Sequence, residues 1–248
     1  MADRSDASTL LFLHPVGLDR DCVAWLDLPP VRSVTLPGHG DRRRARPGLT
    51  VADMADEVAG QHSGPLDVVG ASLGGMVAMH LAINHPDRVR SLVLACTTPY
   101  GEPAALEARA VATETRGNED MLDETLARWF TAGFRTGEPD SPALAYATER
   151  LLATPADVLA DTWRAIGTHD VRDRLAEIRV PTTCLAGRGD VSSPLPVMQD
   201  LAARVPGSRL VELDAPHMAF LERPAEFAAA IQEHLAWAAD RTPEGAHR

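Results

Sequence analysis

The 248-residue chain is short of three things: cysteine, of which it has three, aromatic residues, at 4%, and positive charge, with 24 Lys and Arg against 35 Asp and Glu. Cys22, Cys96 and Cys184 are widely spaced, which excludes a disulfide scaffold and a metal-ligand cadence and suits a reducing compartment. Cys96 and Cys184 fall in predicted buried strands, where a free thiol behaves as a small apolar group. The formal net charge of −11 argues against nucleic acid or an anionic membrane as a partner. A local exception, Asp41-Arg42-Arg43-Arg44-Ala45-Arg46, reads as a solvated loop, with an anion gate as the alternative. No apolar run approaches the ~20 residues of a membrane span. Met1 to Asp6 lack the basic-then-apolar order of a signal peptide, so a cytoplasmic location is expected. The histidines and acids show no tight ligand spacing, and the lysine that a phosphate-binding loop needs after its glycine is missing. No metal and no other cofactor is therefore expected. Hydrophobic content of 45% and charged content of 24% fit an ordinary soluble globular protein, expected to be a monomer or homodimer.

What the chain does contain is concentrated around Gly70-Ala71-Ser72-Leu73-Gly74. Leu66 to Val69 read as a short apolar strand. Met76, Val77, Met79, Leu81 and Ile83 continue as a helix that His85-Pro86 stops. A Gly-x-Ser-x-Gly turn between strand and helix holds its serine on a sharp bend, presents Oγ, and aims the first helical N–H groups at any developing anion. Further short apolar runs, near 10–13, 31–36, 91–96, 181–186 and 208–213, alternate with helical segments. This alternation predicts a mostly parallel sheet with right-handed crossovers. Residues 100–180 break the rhythm, with helical patterns over 104–116, 119–131, 142–153 and 155–166 and no convincing strand between them. They read as a helical cap over a core made of residues 1–99 and 181–248. A final helix, Pro224 to Ala239, is expected to pack through Phe227, Ile231, Leu235 and Trp237, and the tail from Asp240 to Arg248 to be loose.

Several segments carry a resemblance to the α/β-hydrolase family over nearly the whole chain. Besides the elbow at Ser72, they are Leu10-Leu11-Phe12-Leu13 running into His14-Pro15-Val16-Gly17, then Leu36-Pro37-Gly38-His39-Gly40, Gly187-Arg188-Gly189-Asp190 and Ala215-Pro216-His217-Met218. The resemblance implies an α/β-hydrolase fold: a mostly parallel sheet flanked by helices, with the helical cap inserted before the strand that carries the acid. Thr35 stands where the family often has aspartate and Pro216 where a glycine usually precedes the histidine, which bears on the subfamily more than on the fold. The usual leading antiparallel hairpin is expected to be missing or much reduced.

A serine hydroxyl needs a base to take its proton, and an imidazole held by a carboxylate supplies one. The family order of serine, acid and histidine matches Ser72, Asp190 and His217, each in a turn after a predicted strand, and such turns gather at one edge of a parallel sheet. Asp190 also fits a helix cap, and Asp214 is a rival acid. The oxyanion hole implied by the family would use the N–H of Leu73 and, since Pro15 has none, that of Val16.

Ala127 to Arg135 and Ala165 to Leu175 resemble 3-oxoadipate enol-lactonases, as does His14-Pro15-Val16-Gly17-Leu18-Asp19. That likeness implies a serine-dependent hydrolase of a small lactone or carboxylic ester, working through an acyl-enzyme. Arg128, Arg135 or Arg164 would then supply a cation for a dicarboxylate, unless they lie on solvated faces. His14, Trp129, Phe134, Trp163 and Met218 are further candidates for substrate contact, though the aromatics at helical spacing equally suit packing of cap on core. Carbon–carbon hydrolases of ring-cleavage products commonly carry Asn before the serine and Trp after the histidine, whereas Ala71 and Met218 stand here. Cofactor-free perhydrolases share the triad, and a hydrolase-fold ligand receptor is the non-enzymatic alternative.

Overall fold

A computed structural model describes residues 10–42, 48–137 and 141–241. Its sheet has six strands: β1 (Leu10–Leu13), β2 (Val31–Val34), β3 (Leu66–Ala71), β4 (Val89–Ala95), β5 (Thr182–Gly187) and β6 (Arg209–Leu213). Their spatial order is β2-β1-β3-β4-β5-β6, and every neighbouring pair is parallel. Strands β1, β3 and β5 are buried along their whole length, as strands covered on both faces are. The edge strands β2 and β6 are only half-buried.

Helices α1 (Val51–Gln61) and α2 (Leu73–Asn84) pack against each other, and α9 (Pro224–Ala239) packs against β4 to β6. The start of α1 is fixed by a capping box, in which Thr50 Oγ1 accepts from the Asp53 amide and the Asp53 carboxylate accepts from the Thr50 amide. In α9, Phe227 and Ile231 are buried, whereas Trp237 is half-exposed and lies under the guanidinium groups of Arg209 and Arg241, at 4.1 and 4.6 Å. Helix α7 (Leu195–Arg204) lies against β5, and the single turn α8 (Ala219–Glu222) leads into α9.

Between β4 and β5 the chain forms α3 (Pro103–Trp129), α4 (Ala132–Gly137), α5 (Pro142–Ala153) and α6 (Ala156–Gly167). Gly117 breaks α3 into two halves by adopting φ 80° and ψ 165°, a left-handed-side conformation that glycine enters without a Cβ penalty. The next residue, Asn118, pins the break by donating to the carbonyls of Leu151 (2.9 Å) and Thr154 at the end of α5. Helices α3 and α6 pack together as the largest contact of this layer. Both ends of the segment leave the scaffold side by side: Val171 N–H donates to Pro99 O (2.9 Å), Gly101 N–H to His169 O (2.7 Å), and Tyr100 bridges Asp170. The 3-10 turn at Arg172–Glu177 packs on α2 and α7 of the core.

Of the arginine run, Arg42 donates to the Thr35 carbonyl (3.1 Å) and pairs with Glu57, while Arg43, Arg44 and Arg46 lie outside the described residues. So do Met1 to Asp6 and the tail beyond Arg241. All three cysteines are free and buried. Among the described residues, no helix is long and apolar enough to cross a membrane.

Candidate active site

Ser72 sits between the end of β3 and the start of α2 with φ 51° and ψ −114°, a conformation rarely tolerated by a residue with a Cβ. The surroundings hold it there. Its N–H donates to Ala95 O (2.9 Å), and its carbonyl accepts from Thr97 Oγ1 (2.7 Å) and from the amides of Gly75 and Met76. The flanking glycines are demanded by close approach: a Cβ at Gly70 would lie 2.3 Å from the Gly74 carbonyl oxygen, and one at Gly74 would lie 2.0 Å from the Leu13 carbonyl oxygen. The second contact matters most, because it draws the first turn of α2 onto the end of β1, from which the His14 turn departs.

Two other turns, after β5 and β6, deliver the remaining groups. His217 Nε2 lies 3.0 Å from Ser72 Oγ, and His217 Nδ1 lies 2.8 Å from Asp190 Oδ2. The other Asp190 oxygen accepts the amides of Ser192 (2.7 Å) and Ser193 (2.9 Å). Burial alone would raise the Asp190 carboxyl pKa, but His217 and these two amides outweigh it and hold the group below its ordinary range. A carboxylate only accepts, so the neutral imidazole carries its proton on Nδ1 and presents a bare Nε2 to the serine hydroxyl. The acid and histidine turns are clasped together, with Gly189 N–H on Ala215 O (3.0 Å). Asp214 takes no part in this chain of hydrogen bonds.

Neither the Leu73 amide nor the Val16 amide has an acceptor within the protein among the described residues. Both belong to the two turns that the Gly74 contact holds together. Ser72, His217 and Val16 open onto a cavity of about 430 Å³ whose far wall comes from α3 and α6.

The comparisons agree with this geometry. The model of the alpha/beta hydrolase family matches residues 10–230. The chain belongs to that family. A pimeloyl-[acyl-carrier protein] methyl ester esterase of Neisseria meningitidis serogroup B is 32% identical over 213 residues, covering 83% of this chain and 82% of the relative. Among solved structures, the enol-lactonase from Burkholderia xenovorans LB400 is similar with a TM-score of 0.88 and 27% identity, over 94% of each chain. A thermophilic esterase from Thermogutta terrifontis follows with a TM-score of 0.84 and 25% identity, over 94% of this chain and 90% of that one.

In this hydrolase, the candidates Arg128, Trp129 and Trp163 stand in the cavity wall. Five other candidates do not. His14 is fully buried: its Nε2 accepts from the Leu36 amide (2.9 Å), its Nδ1 donates to Pro15 O (2.7 Å), and its ring meets His39 edge-on at 4.8 Å. It shapes the turn from beneath, and burial together with His39 pushes its pKa down to about 3. Phe134 stacks on Phe130 at 5.3 Å, away from the cavity. Met218 is fully buried and reaches the wall only through its amide, which donates to Trp129 O (3.0 Å). Arg135 is not part of the wall, and Arg164 is spent on Glu107 and Glu114.

Sequence reasoning missed Arg109. Its guanidinium lies 4.2 Å over the Trp163 ring, inside the wall, with a buried Nε that has no partner. Burial and the neighbouring charge of Arg128 lower its pKa to about 10. The available signal was an arginine between Leu106 and the buried Ala110 and Thr113 of α3, a position where a charge is out of place unless the face borders a cavity. Thr98 and Tyr100, also in the wall, follow β4 and carried no motif.

Proposed function

We propose that this α/β-hydrolase cleaves a small carboxylic ester or lactone through an acyl-enzyme on Ser72. The unbroken run of hydrogen bonds from Ser72 through His217 to Asp190, at the floor of a cavity walled by α3 and α6, carries the reading. His217 takes the Ser72 proton as Oγ attacks the carbonyl carbon, and the tetrahedral oxyanion is received by the amides of Leu73 and Val16. Collapse of that intermediate breaks the carbon–oxygen bond, and His217 returns the proton to the departing oxygen. In a lactone that oxygen stays tethered to the acyl group. A water activated by His217 then adds to the acyl carbon and frees the acid and Ser72. Losing either oxyanion donor would cost about 2.7–4 kcal/mol of transition-state stabilisation.

Helices α3 to α6 act as the lid in this reading and supply the substrate contacts. Arg109 and Arg128 both face the cavity, and neither is engaged by a carboxylate within hydrogen-bonding distance among the described residues. Two neighbouring guanidinium groups repel, and a substrate carboxylate between them would relieve that repulsion. This supports an enol-lactone-like substrate, a ring or ester with a free acid at its other end. Glu102, at the cavity rim, and Glu124, which pairs with Arg116, reduce the positive field without filling the place between the arginines.

A fluorophosphonate probe tests the nucleophile directly. Wild type is expected to form an adduct at Ser72 and Ser72→Ala none, with turnover of an aryl ester lost in the variant. Absence of an adduct on the folded wild type would favour a ligand receptor over an enzyme. Comparing enol-lactones, aryl esters and ring-cleavage dienones then separates ester from carbon–carbon hydrolysis.

A further inference from the structure

Beneath the neck of the helical layer lies a histidine pair that the proposed chemistry does not use. His169, almost completely buried, closes the neck through its own backbone. Its side chain reaches in both directions: Nε2 lies 3.1 Å from the Thr98 carbonyl oxygen and Nδ1 lies 3.1 Å from His80 Nε2. A carbonyl can only accept, so His169 carries its proton on Nε2. In the neutral ring Nδ1 is then bare and accepts from His80 Nε2–H. One arrangement of protons satisfies both bonds. The second ring nitrogen of His80 is buried without a partner, consistent with that tautomer.

The ends of this chain of bonds are informative. His80 stands on α2, one turn after Met76, and α2 begins at the residue following Ser72. Thr98 stands at the mouth of the neck, where its hydroxyl donates to Tyr100 O (2.6 Å), and Met76, Thr98 and Tyr100 all line the cavity. We propose that His80 and His169 form a positioning strap that ties the elbow helix to the neck of the helical layer and so fixes the Thr98–Tyr100 wall relative to Ser72. The strap acts on how substrate is seated, and neither ring touches the reacting atoms.

The charged groups around the pair are consistent with a neutral strap. Burial is the main influence on both rings. Arg174 faces His80 from the 3-10 turn and adds to the effect, while Asp56 on α1 opposes it; Asp56 is itself engaged by His85 (2.7 Å). His80 faces His169, and Asp170 opposes it while holding Arg172. A proton added to His169 would set two N–H groups against each other unless His80 moved its proton to Nδ1, which is buried without an acceptor.

The test compares His80→Leu and His169→Leu with His80→Gln and His169→Gln, whose amides can replace the lost donors and acceptor. With an aryl ester, the leucine variants are expected to raise KM about tenfold, the equivalent of one hydrogen bond, with kcat changed much less. The glutamine variants are expected to restore KM to near the wild-type value. An unchanged KM in folded leucine variants, or equal losses in all four, would overturn the proposal. Should the leucine variants fail to fold, imidazole nitrogen chemical shifts of the wild type decide it. Both rings are expected as Nε2–H tautomers, and a proton on Nδ1 of His169 refutes the strap.

Discussion

At the scale of single residues, Asp190 has the most demanding place. It is 5% exposed, yet both of its oxygens are occupied, one by the His217 ring and one by two successive backbone amides. An isosteric Asp190→Asn change keeps the shape but replaces an acceptor with a group that can donate. His217 then loses the partner that keeps its proton on Nδ1. The expected result is a fall in kcat of roughly 10⁴-fold with the fold intact, as when a triad acid becomes an amide. Steady-state kinetics with a circular dichroism control checks it, and loss of less than about tenfold would remove Asp190 from the role assigned to it. Ser72, Asp190 and His217 were legible because each sits in a turn directly after a strand, so sequence order carried spatial meaning. His14 misled for a related reason: it also follows a strand, but its ring turns inward beneath the loop to meet Leu36 and His39.

At the scale of elements, the strands were readable because all but β2 hold a short apolar run bounded by turn residues. The structure moves their ends by a residue or two, with β2 ending at Val34 and β4 beginning at Val89. The four helical patterns between β4 and β5 also stand, with Gly117 serving as the expected interruption inside α3. The composition of the cavity wall was not readable, since it depends on which way each helix is rotated. Arg164 was a candidate for the substrate cation and Arg109 was not; packing of α3 on α6 turned Arg109 to the cavity and left Arg164 to Glu107 and Glu114. The tightest joint between elements is Gly74 against Leu13. Gly74→Ala forces a methyl group to within 2.0 Å of a carbonyl oxygen fixed in the sheet. Unfolding by urea should show a loss of about 1–3 kcal/mol, the range for overpacking a close-packed site. Activity should fall by more than the lost folded fraction accounts for, because the Leu73 and Val16 amides move apart. A variant with wild-type stability would show that this contact is not tight.

For the whole molecule, the buried histidines set the response to acid. Burial is the main reason that His39, His169 and His234 have pKa values lowered to about 4, and His14 to about 3, against an ordinary 6.5. The unfolded chain takes up protons at these positions first. Their contribution is therefore complete above the ordinary value and is lost as pH falls from about 6.5 toward 4. The depressed Asp190 carboxyl adds a further loss at lower pH. Melting temperature should be level near neutral pH and decline steadily below about 6.5. A level profile down to about pH 4.5 would contradict the buried, neutral state of these rings.

At the neck the outgoing and returning backbones are bonded to each other. Gly101 and His169 are joined by a 2.7 Å hydrogen bond although 67 residues separate them, so the helical excursion begins and ends at a single spot on the scaffold. A short linker in its place would leave the sheet and the three turns beneath it connected as before. The layer over the serine thus hangs from the scaffold at one place, and its other ties to the core are contacts such as Met218 N–H on Trp129 O (3.0 Å). Exchanging those helices would therefore change the wall that faces the serine while leaving the strand order of the sheet as it is.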